Sequence, residues 1–215
     1  MARVHHRKAA KDYPQFGIAK GDMHYYVKIK TGPRSSREMR SKTPFKRSQL
    51  TSSDYQSQLY DWEDSKAEIS DMESAQEFAD TIRSLGEEQR EKLDNMPEGL
   101  QQGSTGEMLT ERAAACEAAA GEIEEAITDW KSAKDTWESE IETYKEELAA
   151  HKASQEEFDA WESAQDDLDE GEEGDPEPTV EAAPDLPYNT QYNGNGAFEF
   201  DKSEWLDHVR EVSVG

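Results

Sequence analysis

Two adjacent tyrosines, Tyr25 and Tyr26, stand among closely spaced cations: Lys28, Lys30, Arg34, Arg37, Arg40 and Lys42. Lysine and arginine neutralise phosphates and release their counterions, and a phenol ring offers a flat face on which a base can stack. The residue types and spacing therefore point to nucleic acid, DNA or RNA, with the six cations on phosphate and the two tyrosines on bases. No other chemistry is comparably signalled. The five histidines are scattered without the spacing of metal ligands. "GLQQGSTGE" lacks the GK[ST] that places a lysine on phosphates. No serine, cysteine or lysine has a recognisable base beside it. The expectation is a non-enzymatic protein without metal or cofactor.

Charge is distributed unevenly along the 215 residues. The first 50 carry 13 Lys/Arg against 3 Asp/Glu, and the remainder carries 11 against 46, for a formal net charge of -25. Such asymmetry fits a basic part that meets a polyanion and an acidic part that is solvated or meets a protein. A competing reading follows from the acidic part. Its dense carboxylates over 105–170 could imitate phosphates, making the chain a DNA mimic that inhibits a host nucleic-acid enzyme in an anti-defence role, or a virion assembly factor. A third reading is internal, with "DDLDEGEEGDPE" at 166–177 competing for the basic segment. One cysteine, Cys116, excludes a disulfide framework. No run of about 20 apolar residues spans a bilayer, and no apolar run follows the basic N-terminus as in a signal peptide. No membrane contact is expected.

The elements that must position these residues divide the chain into four parts. Residues 1–50 read as a basic arm followed by a β-hairpin. Tyr25, Val27 and Ile29 share one face of its first strand, Tyr26, Lys28 and Lys30 the other, "TGPRSS" supplies the turn, and the return strand covers about 37–43. Residues 51–168 read as a long antiparallel helical hairpin or coiled coil. Its first arm opens at Thr51 and Asp54 and runs over about 52–95, and its second opens with Ser104 and Glu107. In the second arm Leu109, Cys116, Ile123, Trp130, Trp137, Tyr144, His151 and Phe158 recur every seven residues, with Ala113, Ala120, Ile127, Lys134, Ile141, Leu148 and Gln155 four places after each. Ile123, Ile127, Trp130, Trp137, Ile141, Tyr144 and Leu148 are expected to form the core and a homo-oligomer interface. The stretch from Tyr144 to Phe158 needs a second chain or the C-terminal segment to cover it. Lys134 and His151 interrupt the seam, and acids on the facing helix are their expected partners. Residues 169–195, rich in Glu, Asp, Pro and Gly, read as a disordered acidic linker. Residues 196–215 read as an amphipathic docking helix carrying Phe200, Trp205, Leu206 and Val209, with Asp201 and Glu204 as its cap. The fold class is mainly α with a small N-terminal β-hairpin.

"KDYPQFGIAKGDMHYYVKIK", "RSKTPFKRSQLT" and "LDNMPEGLQQGSTGEMLTER" resemble segments of a group of small uncharacterised proteins encoded by tailed bacteriophages. The resemblance covers residues 1–115. It implies a phage accessory protein in a bacterial cytoplasm, with a host or phage protein as a further partner, and implies no particular activity.

Overall fold

The computed structural model describes residues 3–166, 176–192 and 197–214. It is mainly helical, with an N-terminal antiparallel three-stranded sheet, a long helix and a short C-terminal helix. None of the described helices is long and apolar enough to cross a membrane. The chain divides into two compact units, Met1–Ile127 with Leu206–Gly215, and Thr128–Trp205. The basic, acidic and linker segments of the sequence are thus a different partition from the packed units, because charge reports solvation whereas packing follows apolar side chains.

In the first unit the sheet has the order β1 (His5–Lys8), β2 (Met23–Lys30), β3 (Ser36–Ser41). The sequence reading treated residues 1–22 as an arm, but β1 pairs with β2 from His5↔Tyr26 to Lys8↔Met23. Its four residues are all exposed and carry no apolar alternation, so no inward-facing pattern marked it as a strand. Val27 and Ile29 of β2 are buried on one face, as the alternation required.

The first helical arm is broken. α1 (Asp54–Asp64) is capped by Ser53, whose hydroxyl accepts from the Gln56 amide at 3.3 Å. A 3-10 turn follows over Ser65–Glu68, and α2 (Met72–Asp94) restarts with Asp71 and Ser74 as a reciprocal cap. The expected continuous rod over 52–95 is therefore two helices packed against each other. Trp62 of α1 stacks on Phe78 of α2 with ring centroids 4.3 Å apart, and its indole N–H donates to the Phe78 carbonyl at 2.9 Å. The drift of the apolar pattern near 69–75 marks this corner, where Ile69 is buried.

A short turn of helix, α3 (Glu98–Gln101), leads into α4 (Ser104–Asp166). Within the first unit α4 returns antiparallel to α2. Arg83 pairs with Glu124 and Arg90 with Glu117, so residues advance on one helix as they recede on the other. Leu109, Ala113, Cys116, Ala120, Ile123 and Ile127 are buried along this seam, and the Tyr55 hydroxyl meets the Cys116 sulfur at 3.6 Å. Burial raises both the Tyr55 phenol and the Cys116 thiol above their ordinary values.

The helices approach closely at Gly86. A Cβ there would stand 3.0 Å from the Cys116 Cβ and 3.2 Å from the Ala113 carbonyl oxygen. Gly121, on α4, has open space where its Cβ would be. The same substitution should therefore act with opposite signs. Gly121→Ala is expected to stabilise by about 0.5–1 kcal/mol through helix propensity alone. Gly86→Ala should destabilise by about 1–2 kcal/mol, because overpacking outweighs that gain. Urea midpoints of the two variants check the contrast, and equal shifts would refute the close approach.

α5 (Ser203–Glu211) contributes Leu206 and Val209, buried with Val212 in the first unit. Arg210 donates to the Ile69 carbonyl at 2.7 Å and Lys66 to the Val212 carbonyl, so this end of the chain docks on its own helical corner. The two carbonyls receive cationic donors where the backbone leaves regular helix.

In the second unit α4 continues with Trp130 and Ile141 buried and Trp137, Tyr144 and Leu148 half-buried. β4 (Thr190–Tyr192) and β5 (Phe198–Phe200) form a small antiparallel pair. Trp137 donates to the Thr190 hydroxyl at 2.7 Å and meets the Phe200 ring at 5.8 Å, while Tyr144 meets Phe198 edge-on at 5.5 Å. Phe200 also lies against Trp205 at 5.2 Å. The chain's own C-terminal segment thus supplies partners for the distal seam, one of the two coverings the sequence allowed. Lys134 is exposed and pairs with Glu138 on its own helix, and the ring of His151 meets the Glu181 carbonyl at 2.7 Å. Among the described residues neither pairs with the carboxylate on a facing helix that the heptad suggested, and at His151 it is an extended segment that lies alongside. In its described part, 176–192, that segment is tied to α4 at Glu181 and Thr190, with Leu186 and Tyr188 exposed. Residues 169–175 and 193–195 lie outside the described residues. The Asp201 carboxylate accepts from the Ser203 amide at 3.0 Å just ahead of α5, which holds it below its usual range, and it is not joined to Glu204 by the reciprocal cap expected from the sequence.

Candidate nucleic-acid interface

Strand alternation sorts the basic residues onto two faces. His24, Tyr26, Lys28 and Lys30 of β2 share the face opposite Val27 and Ile29. The cross-strand pairs His5↔Tyr26 and Arg7↔His24 on one side, and Tyr26↔Arg40 and Lys28↔Glu38 on the other, bring Arg7, Arg40 and Glu38 to that same face. It gathers four cations against one carboxylate. Tyr25 and Arg37 belong to the other face: Tyr25 stacks on His6 with centroids 4.5 Å apart, and Arg37 lies cross-strand from Ile29. Arg34 is exposed in the turn between β2 and β3. The eight residues singled out in the sequence are thus not one surface, and Tyr25 and Tyr26 cannot present their rings side by side.

Arg40 is the centre of the cluster and is not a free cation. Its side chain is 9% exposed. The guanidinium lies 4.0 Å from the Tyr13 ring centroid and 4.4 Å from that of Tyr26, and one N–H reaches the His24 Nε2 at 3.0 Å. Arginine can only donate, so His24 accepts at Nε2 and carries its proton on Nδ1, which has no partner among the described residues. Arg40 also lies 3.7 Å from Glu38. Its largely enclosed side chain fixes Tyr13, His24 and Tyr26 and leaves less of the guanidinium open to a phosphate than the sequence suggested.

Tyr26 carries a second guanidinium, that of Arg7, 4.5 Å from its centroid, and its hydroxyl donates to Glu38 at 3.1 Å. Desolvation, that hydrogen bond and the Glu38 charge raise the phenol above its ordinary value, against the lowering effect of Arg40 and Arg7. The phenol therefore stays a neutral donor. The exposed, delocalised plane is that of Arg7, layered on Tyr26. Guanidinium planes stack on unpaired bases as aromatic rings do. Arg7 was missed in the sequence because β1 was: His5, His6, Arg7 and Lys8 are all exposed and show no apolar alternation.

The remaining cations differ in how far the chain satisfies them. Lys28 lies 4.0 Å from Glu38 and Lys42 3.5 Å from Asp22, each lysine side chain 58% exposed. Exposed pairs of this kind contribute about 0–1 kcal/mol and leave the ammonium open to a competing phosphate. Lys30, Arg34 and Arg37 have no carboxylate partner among the described residues. No family model matches this chain, and comparison with curated proteins and with solved structures likewise returned no match.

Proposed function

We propose that this is a non-enzymatic nucleic-acid-binding protein that holds a strand across the face of its N-terminal sheet. Lys28 and Lys30, with Arg34 at the turn, take phosphates, and Arg7 over Tyr26 supplies the stacking plane. The observation that carries the reading is the Arg7–Tyr26–Arg40 stack beside two exposed lysines, on a face where Glu38 is the one carboxylate among the described residues of the three strands. Positive groups that touch phosphate set affinity, and a planar cation beside them adds a sequence-tolerant contact to bases. The acidic remainder would repel a second strand and confine contact to this end. The setting in which we propose this activity, following the resemblance to phage proteins, is an infected bacterial cell.

The double variant Lys28→Glu, Lys30→Glu tests it. Binding to a mixed-sequence single-stranded oligonucleotide at low salt should weaken by about a hundredfold, and the slope of log affinity against log salt should fall by about two. Unchanged affinity with unchanged slope would remove the proposal.

A further inference from the structure

Among the described residues the sheet has an open edge. β1 pairs only with Met23–Tyr26 of the eight-residue β2, whereas β3 pairs with Tyr25–Lys30 on the opposite side. Arg3 and Val4, which precede β1, are outside the pairing. Backbone groups of a strand point alternately to its two neighbours. The Thr31 amide donates toward β3, to the Ser35 carbonyl, and the Asp22 carbonyl accepts on the β1 side, from Ala9. By that alternation the N–H and C=O of Lys28 and of Lys30 both point to the side on which no described residue pairs with them.

A cleft of about 490 Å³ adjoins this edge, walled by Lys28, Ile29 and Lys30 and, across from them, by Arg47, Gln56 and Tyr60. None of its lining residues is acidic. Arg47 lies over the Tyr60 ring at 4.2 Å and reaches Glu63 at 3.1 Å, so it is held at the wall with its side chain half exposed. Hydroxyls of Thr51 and Ser52 add further donors.

We propose that this edge binds an extended acidic peptide segment of a partner protein, which adds to the sheet as a strand beside Lys28 and Lys30. Nucleic acid fits the edge less well. Phosphates would take the two N–H groups but leave the two carbonyls without donors, whereas a peptide backbone satisfies all four groups in register. The lysines and Arg47 oppose pairing with the same edge of a second copy and favour a strand carrying carboxylates. The inference goes beyond nucleic-acid binding, because Arg47 and Tyr60 stand apart from the Arg7–Tyr26 stack. Since Lys28 and Lys30 serve both surfaces, peptide and strand compete.

The probe is an acetylated and amidated seven-residue peptide that alternates glutamate and valine, titrated into the full chain. The amide signals of Val27–Lys30 should shift together with those of Arg47 and Tyr60. N-methylation of two peptide nitrogens, two residues apart on the edge-facing side, which deletes two main-chain donors and leaves the charge unchanged, should weaken binding by about tenfold or more. Arg47→Glu should weaken the peptide by about as much and leave oligonucleotide affinity within twofold, which separates this inference from the sheet-face reading. Equal affinity of the N-methylated peptide, or shifts confined to the Arg7 and Tyr26 face, would overturn it. Because the N-methyl comparison alters only the probe, it holds even if the Arg47 variant fails to fold.

Discussion

Replacing Trp62 by Ala is expected to cost the first unit about 4 kcal/mol, the upper range for a single substitution in this chain. The side chain is 3% exposed and lies nearly parallel to Phe78, 9° apart at 4.3 Å, so its removal forfeits both the buried area and a ring pair worth about 1 kcal/mol beyond it. It also deletes the hydrogen bond from α1 to the Phe78 carbonyl, which is a specific tie between these helices. The surroundings have limited means to collapse into the gap, because Ile69 is fixed through Arg210 and the 3-10 turn constrains the chain on the other side. Trp62→Phe should keep the stack and lose the hydrogen bond, for about 1–2 kcal/mol. Urea unfolding followed by far-ultraviolet circular dichroism reads both. A loss below about 1 kcal/mol for the alanine variant would show that the α1–α2 corner is not a core. The consequence reaches the proposed site, since α1 carries Gln56 and Tyr60 of the cleft wall.

That corner also shows where the sequence was legible and where it was not. The period-two pattern of Tyr25 to Lys30 was readable because one face must be buried and the other solvated, and the buried positions Val27 and Ile29 follow from it. The seven-residue recurrence through Leu109, Cys116 and Ile123 was readable for the same reason, since helix periodicity and burial agree. The break between α1 and α2 was visible only as drift, because the Asp71–Ser74 cap is assembled from residues common anywhere on a polar helix. β1 was invisible because its strand character comes wholly from backbone pairing with β2 and leaves no apolar trace. Covering of the distal seam by β4 and β5 depends on contacts such as Trp137 with Thr190, 53 residues apart, which no local pattern encodes. Within the candidate site, composition identified the cations but could not rank them. Whether an arginine is free or enclosed depends on which strand lies opposite, and the Tyr26↔Arg40 register decides that for Arg40.

Arg40 is therefore the position at which stability and binding should separate most clearly from their neighbours. Arg40→Ala is expected to destabilise the first unit by about 3 kcal/mol. It removes cation–π contacts to Tyr13 and Tyr26, each worth about 0.5–2 kcal/mol where desolvated, and strips the buried His24 of the donor to its Nε2 at a cost of about 1–3 kcal/mol. Arg40→Lys should recover only part of this, because a lysine has one ammonium where the guanidinium spans two rings and an imidazole at once. Lys30→Ala supplies the contrast. Its side chain is exposed with no carboxylate partner among the described residues, so stability should change by less than about 0.5 kcal/mol while oligonucleotide affinity falls by about tenfold. Binding by the Arg40 variants should track the fraction folded and return to near its original strength where a stabilising osmolyte restores the fold. A fully folded Arg40→Ala chain that had lost oligonucleotide binding would instead make Arg40 a direct phosphate contact, and the assignment of the stack as a rigid support for Arg7 would have to be withdrawn.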